Sequence, residues 1–198
     1  MEENRDIQVA LAHEFWCCKR EFDSFAFHAT LLLRENTREV RLLAFTAYGN
    51  CIRHLYAFYE GVIKFRNANL IAGVKKQEIG EKISELMYQE ARKLVRNKIA
   101  VYNSRPDLDS RDIAHFVHNE VPLEFGTDFR QMRNRFSHAA ISRVNKDALT
   151  LNDFFLKYHK YILLMYHSCA FTWNIKDVEQ YDWQEIDEFF NVLNTSTV

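Results

Sequence analysis

The chain has 198 residues, 47% of them apolar, with 26 basic side chains against 27 acidic ones. That length fits one domain of ordinary size, and the near-zero net charge excludes a global field drawing it to nucleic acid or anionic membrane. Phe numbers 16 while Gly and Pro number only five and two, which favours long uninterrupted helices over many short strands.

The acidic start Met1-Glu2-Glu3-Asn4-Arg5-Asp6 lacks the pattern of a signal peptide. No apolar run is long enough to span a bilayer, so a cytoplasmic protein is expected. Cys17, Cys18, Cys51 and Cys169 show no CxxC spacing and sit in apolar stripes. They read as buried free thiols of a reducing compartment.

In chain order, Leu11, Phe15, Cys18, Phe22, Phe25, Ala29 and Leu32 recur by fours and threes, predicting a helix over about residues 6–35. Thr37 is placed to cap the next helix. That second helix carries two apolar stripes, one through Val40, Cys51, Leu55 and Val62, the other through Tyr48, Ile52, Tyr56 and Ile63. A helix apolar on two sides is covered on two sides, by the bundle or by an oligomer interface. Its remaining strip holds Arg53, Glu60 and Lys64.

A third helix is expected over about 76–103, with one apolar face and a basic second half (Arg92, Lys93, Arg96, Lys98). Such a charge run reads first as a solvated face. Pro106 ends it, Asp109 is placed to cap a short helix reaching about His118, and Pro122 is a second break. Phe125, Phe129, Met132 and Phe136 mark the buried face of the next helix. Residues 141–150 read as a loop or helix end. Another long helix follows from Leu151 to Trp173, and residues 176–198 form a last helix with a frayed tail. The fold class is therefore all-α, an antiparallel up-and-down helical bundle in a single domain. Its four core elements are the first two long helices, the Phe125 helix and the Leu151 helix, and the third and last helices are additions.

The chemistry-bearing stretch is Arg133-Asn134-Arg135-Phe136-Ser137-His138. Five residues of helix turn about 140° and rise about 7.5 Å. Arg133 and His138 therefore do not stack as a metal-ligand pair would, but can flank a groove. Asn134 lies four residues before His138, on its face, close enough to orient the imidazole. From Arg130 to Lys146 the chain has five cations (Arg130, Arg133, Arg135, Arg143, Lys146) and no acid. A histidine can move protons near neutral pH, and an arginine fork can hold two phosphate oxygens. The plain alternative is a set of cations stabilising the end of a helix.

The hexapeptide resembles the Arg-polar-x-x-x-His signature of the HEPN family, small all-α domains that are often metal-independent RNases of toxin–antitoxin and defence systems. The resemblance covers most of the chain in architecture and is specific over residues 133–138. It implies a homodimeric endoribonuclease with Arg133 and His138 catalytic, Asn134 supporting, and Arg130, Arg135, Arg143 and Lys146 along the RNA phosphates. It implies no metal and no cofactor, and an antitoxin or regulatory protein as partner. Some members continue as His-x-Tyr with a modifiable tyrosine; here Ala139-Ala140 follow, so neutralisation by that route is not expected.

The rival readings are a catalytically silent helical module that binds a nucleotide, RNA or protein, and a structural subunit of a larger assembly. His115, His118 and Glu120 lie at helical spacing, but lack the cysteine partner that a zinc site would be expected to add. Arg53 and His54 become candidates for RNA contact if the second helix faces the motif.

Overall fold

The computed structural model describes residues 2–105, 107–109, 113–117, 120–137 and 149–195. Of these, 81% are helical, and no strand occurs among them. The helices are α1 (Glu2–Leu31), α2 (Arg38–Arg66), α3 (Ala68–Ala72), α4 (Ile79–Asn103), α5 (Ala114–Val117), α6 (Phe125–Ser137), α7 (Leu151–Trp173) and α8 (Gln184–Thr195). A 3-10 turn, Val178–Gln180, precedes the last. Among the described residues no helix is long and apolar enough to cross a membrane.

α1 and α2 form the longest packed pair, an antiparallel hairpin closed by residues 32–37. α1 starts and stops about four residues earlier than its periodicity suggests, because the backbone turns out of the helix after Leu31 while the amide of Glu35 still bonds the Leu31 carbonyl (2.8 Å). α2 begins where its capping residue sits. The Thr37 side chain accepts from the amide of Val40 at 3.2 Å, satisfying a donor that the first turn leaves unpaired. The two apolar stripes of α2 are buried on both flanks, between α1 on one side and α4, α6 and α7 on the other. α2 is thus the central rod of the bundle.

One expectation is corrected. α4 is a core element and not an addition: it packs on α2, α6 and α7 and buries Ile83, Leu86, Met87, Ala91, Leu94 and Val95. A single apolar face is enough for full burial when small residues let the neighbour come close. At Gly126 of α6 a Cβ would fall on the backbone carbonyl of Ser84 in α4, so these two helices touch through their backbones. α8 is the peripheral element. Its side chains from Gln184 to Leu193 are all exposed, and it adds nothing to the core cluster.

The bundle interior is rich in aromatic edges. Phe125, Phe129, Phe154 and Tyr158 pack ring against ring at 5.1–6.1 Å between α6 and α7, a spacing that adds to their area burial. α7 begins with a capping box: the Thr150 hydroxyl accepts from the amide of Asp153 (3.1 Å), and the Asp153 carboxylate accepts from the amide of Thr150 (3.4 Å). All four cysteines are free thiols. Cys18 and Cys51 face each other at 3.6 Å in the core, Cys169 is buried beside them, and Cys17 is half-buried.

Candidate functional site

The buried stripe of α6 fixes which side of that helix remains open. Phe125, Phe129 and Met132 point into the core. Phe136, one turn further on, lies against Gly49 of α2, where a Cβ would collide with its ring, and 5.5 Å from the Phe45 ring. Phe129 meets the Tyr56 ring edge-on at 5.2 Å. Phe136 thus pairs with the earlier part of α2 and Phe129 with the later part, so the helices run antiparallel. The motif helix packs directly on α2 through these rings, and Arg133 and Glu60 lie at the edge of that contact.

Arg133 reaches across to α2. Its Nη2 donates to Glu60 Oε2 at 2.6 Å, its Nη1 donates to Asn134 Oδ1 at 2.9 Å, and its Cζ stands 4.9 Å from the centre of the Tyr56 ring. Glu60 is held from its own helix by Lys64, at 2.7 Å. Burial alone would raise the Glu60 carboxyl, but hydrogen bonds from Lys64 and Arg133 outweigh it and hold the group below the ordinary carboxylate value. Burial, with the Glu60 charge beside it, pushes the Tyr56 phenol up to about 12, so it stays protonated. The Arg133 side chain is still 30% exposed. Only two of its five N–H donors are taken up by these bonds.

The other cations of the stretch separate by direction. Arg130 lays its guanidinium over Gly80 of α4, where a Cβ would run into it. Arg135 donates to the Leu149 carbonyl at 2.9 Å, tying the last turn of α6 to the start of α7. Asn134 lies beside Arg133 and fixes its fork. His138, Arg143 and Lys146 lie outside the described residues. Arg133 and Asn134 therefore lie together at the edge of the α2–α6 contact, Arg130 packs on the α4 side, and Arg135 braces the start of α7.

α2 does face the motif helix. Arg53 lies on α2 between Gly49 and Tyr56, the residues that meet Phe136 and Phe129. Its Nη2 donates to His54 Nε2 at 2.8 Å, so that nitrogen carries no hydrogen, and His54 Nδ1 donates to Glu14 Oε2 at 2.8 Å. His54 is thereby turned toward α1 and away from the α2–α6 contact. Arg53 Nε is buried and has no hydrogen-bond partner among the described residues.

No protein-family model, no curated protein and no solved structure matches this chain. The chemistry of the site follows from its own side chains. A guanidinium that is 30% exposed, with donors left over among the described residues and Lys64 on the neighbouring helix, can receive a phosphate; Glu60 occupies part of that fork meanwhile. Among the described residues no three metal-ligating side chains converge, and His118 of the sequence-derived zinc candidate lies outside them.

From the sequence Glu60 falls on the polar strip of α2 with no sign of its Arg133 partner, and Tyr56 falls in an apolar stripe. The Glu60 to Lys64 spacing was the available signal, since i and i+4 neighbours share a face.

Proposed function

We propose that the protein is a metal-independent endoribonuclease of HEPN type, acting as a homodimer in a toxin or defence setting. The observation that supports this reading best is Arg133: it is partly exposed at the edge of the α2–α6 contact and oriented by Glu60, Asn134 and the face of Tyr56. A guanidinium fixed in this way suits a phosphodiester, because its planar fork is set before the substrate arrives. In the reaction the ribose 2′-oxygen attacks phosphorus as a base removes its proton. The 5′-oxygen leaves with a proton from an acid, and a 2′,3′-cyclic phosphate remains. His138 supplies proton transfer, and a second copy of the motif across a twofold axis supplies the other acid–base group.

The intramolecular Arg133–Glu60 pair is also what a purely structural arginine would make, which is the reading of a silent helical module. A gel assay of the purified protein on total RNA with EDTA present separates the two. Wild type is expected to cleave, leaving a cyclic phosphate or the monophosphate from its opening. His138→Ala and Arg133→Ala are expected to remain folded and inactive. No cleavage by wild type, or full cleavage by either variant, overturns the reading.

A further inference from the structure

α8 is a 12-residue helix whose side chains from Gln184 to Leu193 are all exposed. A helix that short is marginal in water on its own and gains its stability from packing one face. Ile186, Phe189 and Phe190 recur at three and four residues and lie on one side; Phe189 and Phe190 are 62% and 61% exposed. Glu185 and Asp187 flank that stripe. From Asp177 to Thr195 there are six acids (Asp177, Glu179, Asp182, Glu185, Asp187, Glu188) and no Lys or Arg.

The segment before α8 is fastened to α1. Arg5 bonds Asp182 at 3.2 Å and the His13 and Trp183 rings meet edge-on at 6.2 Å, while Trp183 Nε1 donates to the Val178 carbonyl within the segment itself at 2.6 Å. That anchorage puts α8 on the α1 side of α2. The complementary surface lies on α4, which packs on α2, α6 and α7. Lys93, Arg96, Asn97, Ala100, Val101 and Ser104 form one exposed α4 face. From Ala91 to Arg105 there are five bases and no acid, with Lys93 3.7 Å from Glu90 just before the stretch and Arg105 paired with Asp107 just after it. Arg96 makes no ion pair among the described residues. The face is about 17 Å long, and α8 about 18 Å. Two α8 helices would oppose acid to acid, whereas α8 on this face sets acid against base around Phe189, Phe190, Ala100 and Val101.

We infer that α8 of one chain docks on the basic Lys93–Ser104 face of α4 in a second copy of the chain. The contact is head-to-tail, since donor and acceptor surfaces differ, and it builds a ring or a chain of copies unless closure stops it. It is independent of the RNase reading and needs neither Arg133 nor Glu60.

Sedimentation velocity of the full chain at rising concentration tests it. Wild type is expected to self-associate beyond a dimer. Lys93→Glu/Arg96→Glu and, separately, Glu185→Lys/Asp187→Lys are each expected to weaken association at least about tenfold, as lost or reversed interfacial charge pairs do. One chain carrying both reversals is expected to recover association. Phe189→Ser/Phe190→Ser is expected to show no assembly beyond the twofold dimer of the proposed function, with an unchanged helical circular dichroism signal from the bundle. A wild type that does not grow beyond a dimer at high concentration overturns the inference. So does undiminished association of the α4 variant, which would leave α8 pairing with itself, its own bundle or another protein.

Discussion

Arg133 of α6 and Glu60 of α2, 73 positions apart, close at 2.6 Å into an ion pair that joins the two helices. Lys64 holds the same carboxylate from the other side, so removing either cation leaves Glu60 one partner. Arg133→Ala is therefore compatible with an intact bundle. The pair fixes where the guanidinium points and also neutralises it at rest.

Glu60→Gln is expected to lower stability by about 1 kcal/mol, the scale of a partly exposed ion pair with good geometry. The carboxyl sits below its ordinary value in the fold. Its contribution is present above the unfolded value near 4.5 and is lost as pH falls through the lower folded value. Urea midpoints measured from pH 6 downward should show a shallower acid decline in Glu60→Gln than in wild type. In the RNA assay the same variant should bind substrate at least as tightly, since a competing carboxylate is gone, yet cleave more slowly because the fork is no longer aimed.

The two helix contacts made through glycine should respond differently to the same methyl group. At Gly126 the added Cβ meets the Ser84 backbone, which cannot swing aside. Gly126→Ala is expected to cost about 2–3 kcal/mol and to lower the melting temperature by several degrees. At Gly49 the Cβ meets the Phe136 ring, which is only half-buried and can rotate away. Gly49→Ala should cost less stability but displace the end of the motif helix. RNA cleavage should therefore fall further than the melting temperature would suggest. Equal effects of the two variants on both readouts would contradict this assignment of the contacts.

Much of the architecture is legible in the sequence, and the exceptions share a cause. The two-sided pattern of α2 and the Thr37 cap follow from local spacing. The core position of α4 is not legible in its stripe, because a stripe records the width of a buried face and not how near the neighbour comes, which Gly126 and Ser84 decide. Thr150-x-x-Asp153 carries the capping-box spacing, but it closes a stretch that reads as loop. At the candidate site the Arg133–Asn134 pair is local and readable. The Arg133–Glu60 pair depends on the packing of two distant helices, and no local pattern encodes it. The last helix reads as an addition to the bundle, and α8 is peripheral, with Ile186, Phe189 and Phe190 exposed.

His159 sits among Phe25, Phe155 and Tyr48, stacked on Phe155 at 4.3 Å and sharing a 2.9 Å hydrogen bond between its Nδ1 and the Tyr48 hydroxyl. Burial lowers its pKa, and burial together with Lys98 lowers that of His167. The unfolded chain then takes up protons near pH 6.5 that the native state refuses, so stability is complete above that value and falls as pH drops below it. Denaturant midpoints should decline from pH 7 to pH 5, and His159→Gln should flatten part of that slope. A slope unchanged in the variant would show that His159 does not titrate against folding.

Thr150→Ala removes the side chain that accepts from Asp153 at the start of α7, and the expected loss is about 1 kcal/mol. Arg135 bonds the carbonyl immediately before this cap, at Leu149. Removing both should cost more than the sum of the single losses, because each holds the same backbone entry into α7. A double-mutant cycle by chemical denaturation measures that coupling directly.

The burial of three thiols against one half-buried thiol gives the chain a built-in chemical counter. The Cys18 thiol is held protonated by its hydrogen bond with Cys51 and by burial, and the Cys169 thiol by burial. All three lie in one core cluster. An alkylating reagent applied to the native protein should therefore add a single mass increment, at Cys17. The other three should acquire theirs together, at the rate at which the bundle opens. Intact-mass spectra taken over time would show a population carrying one label giving way to one carrying four, with no engineered probe.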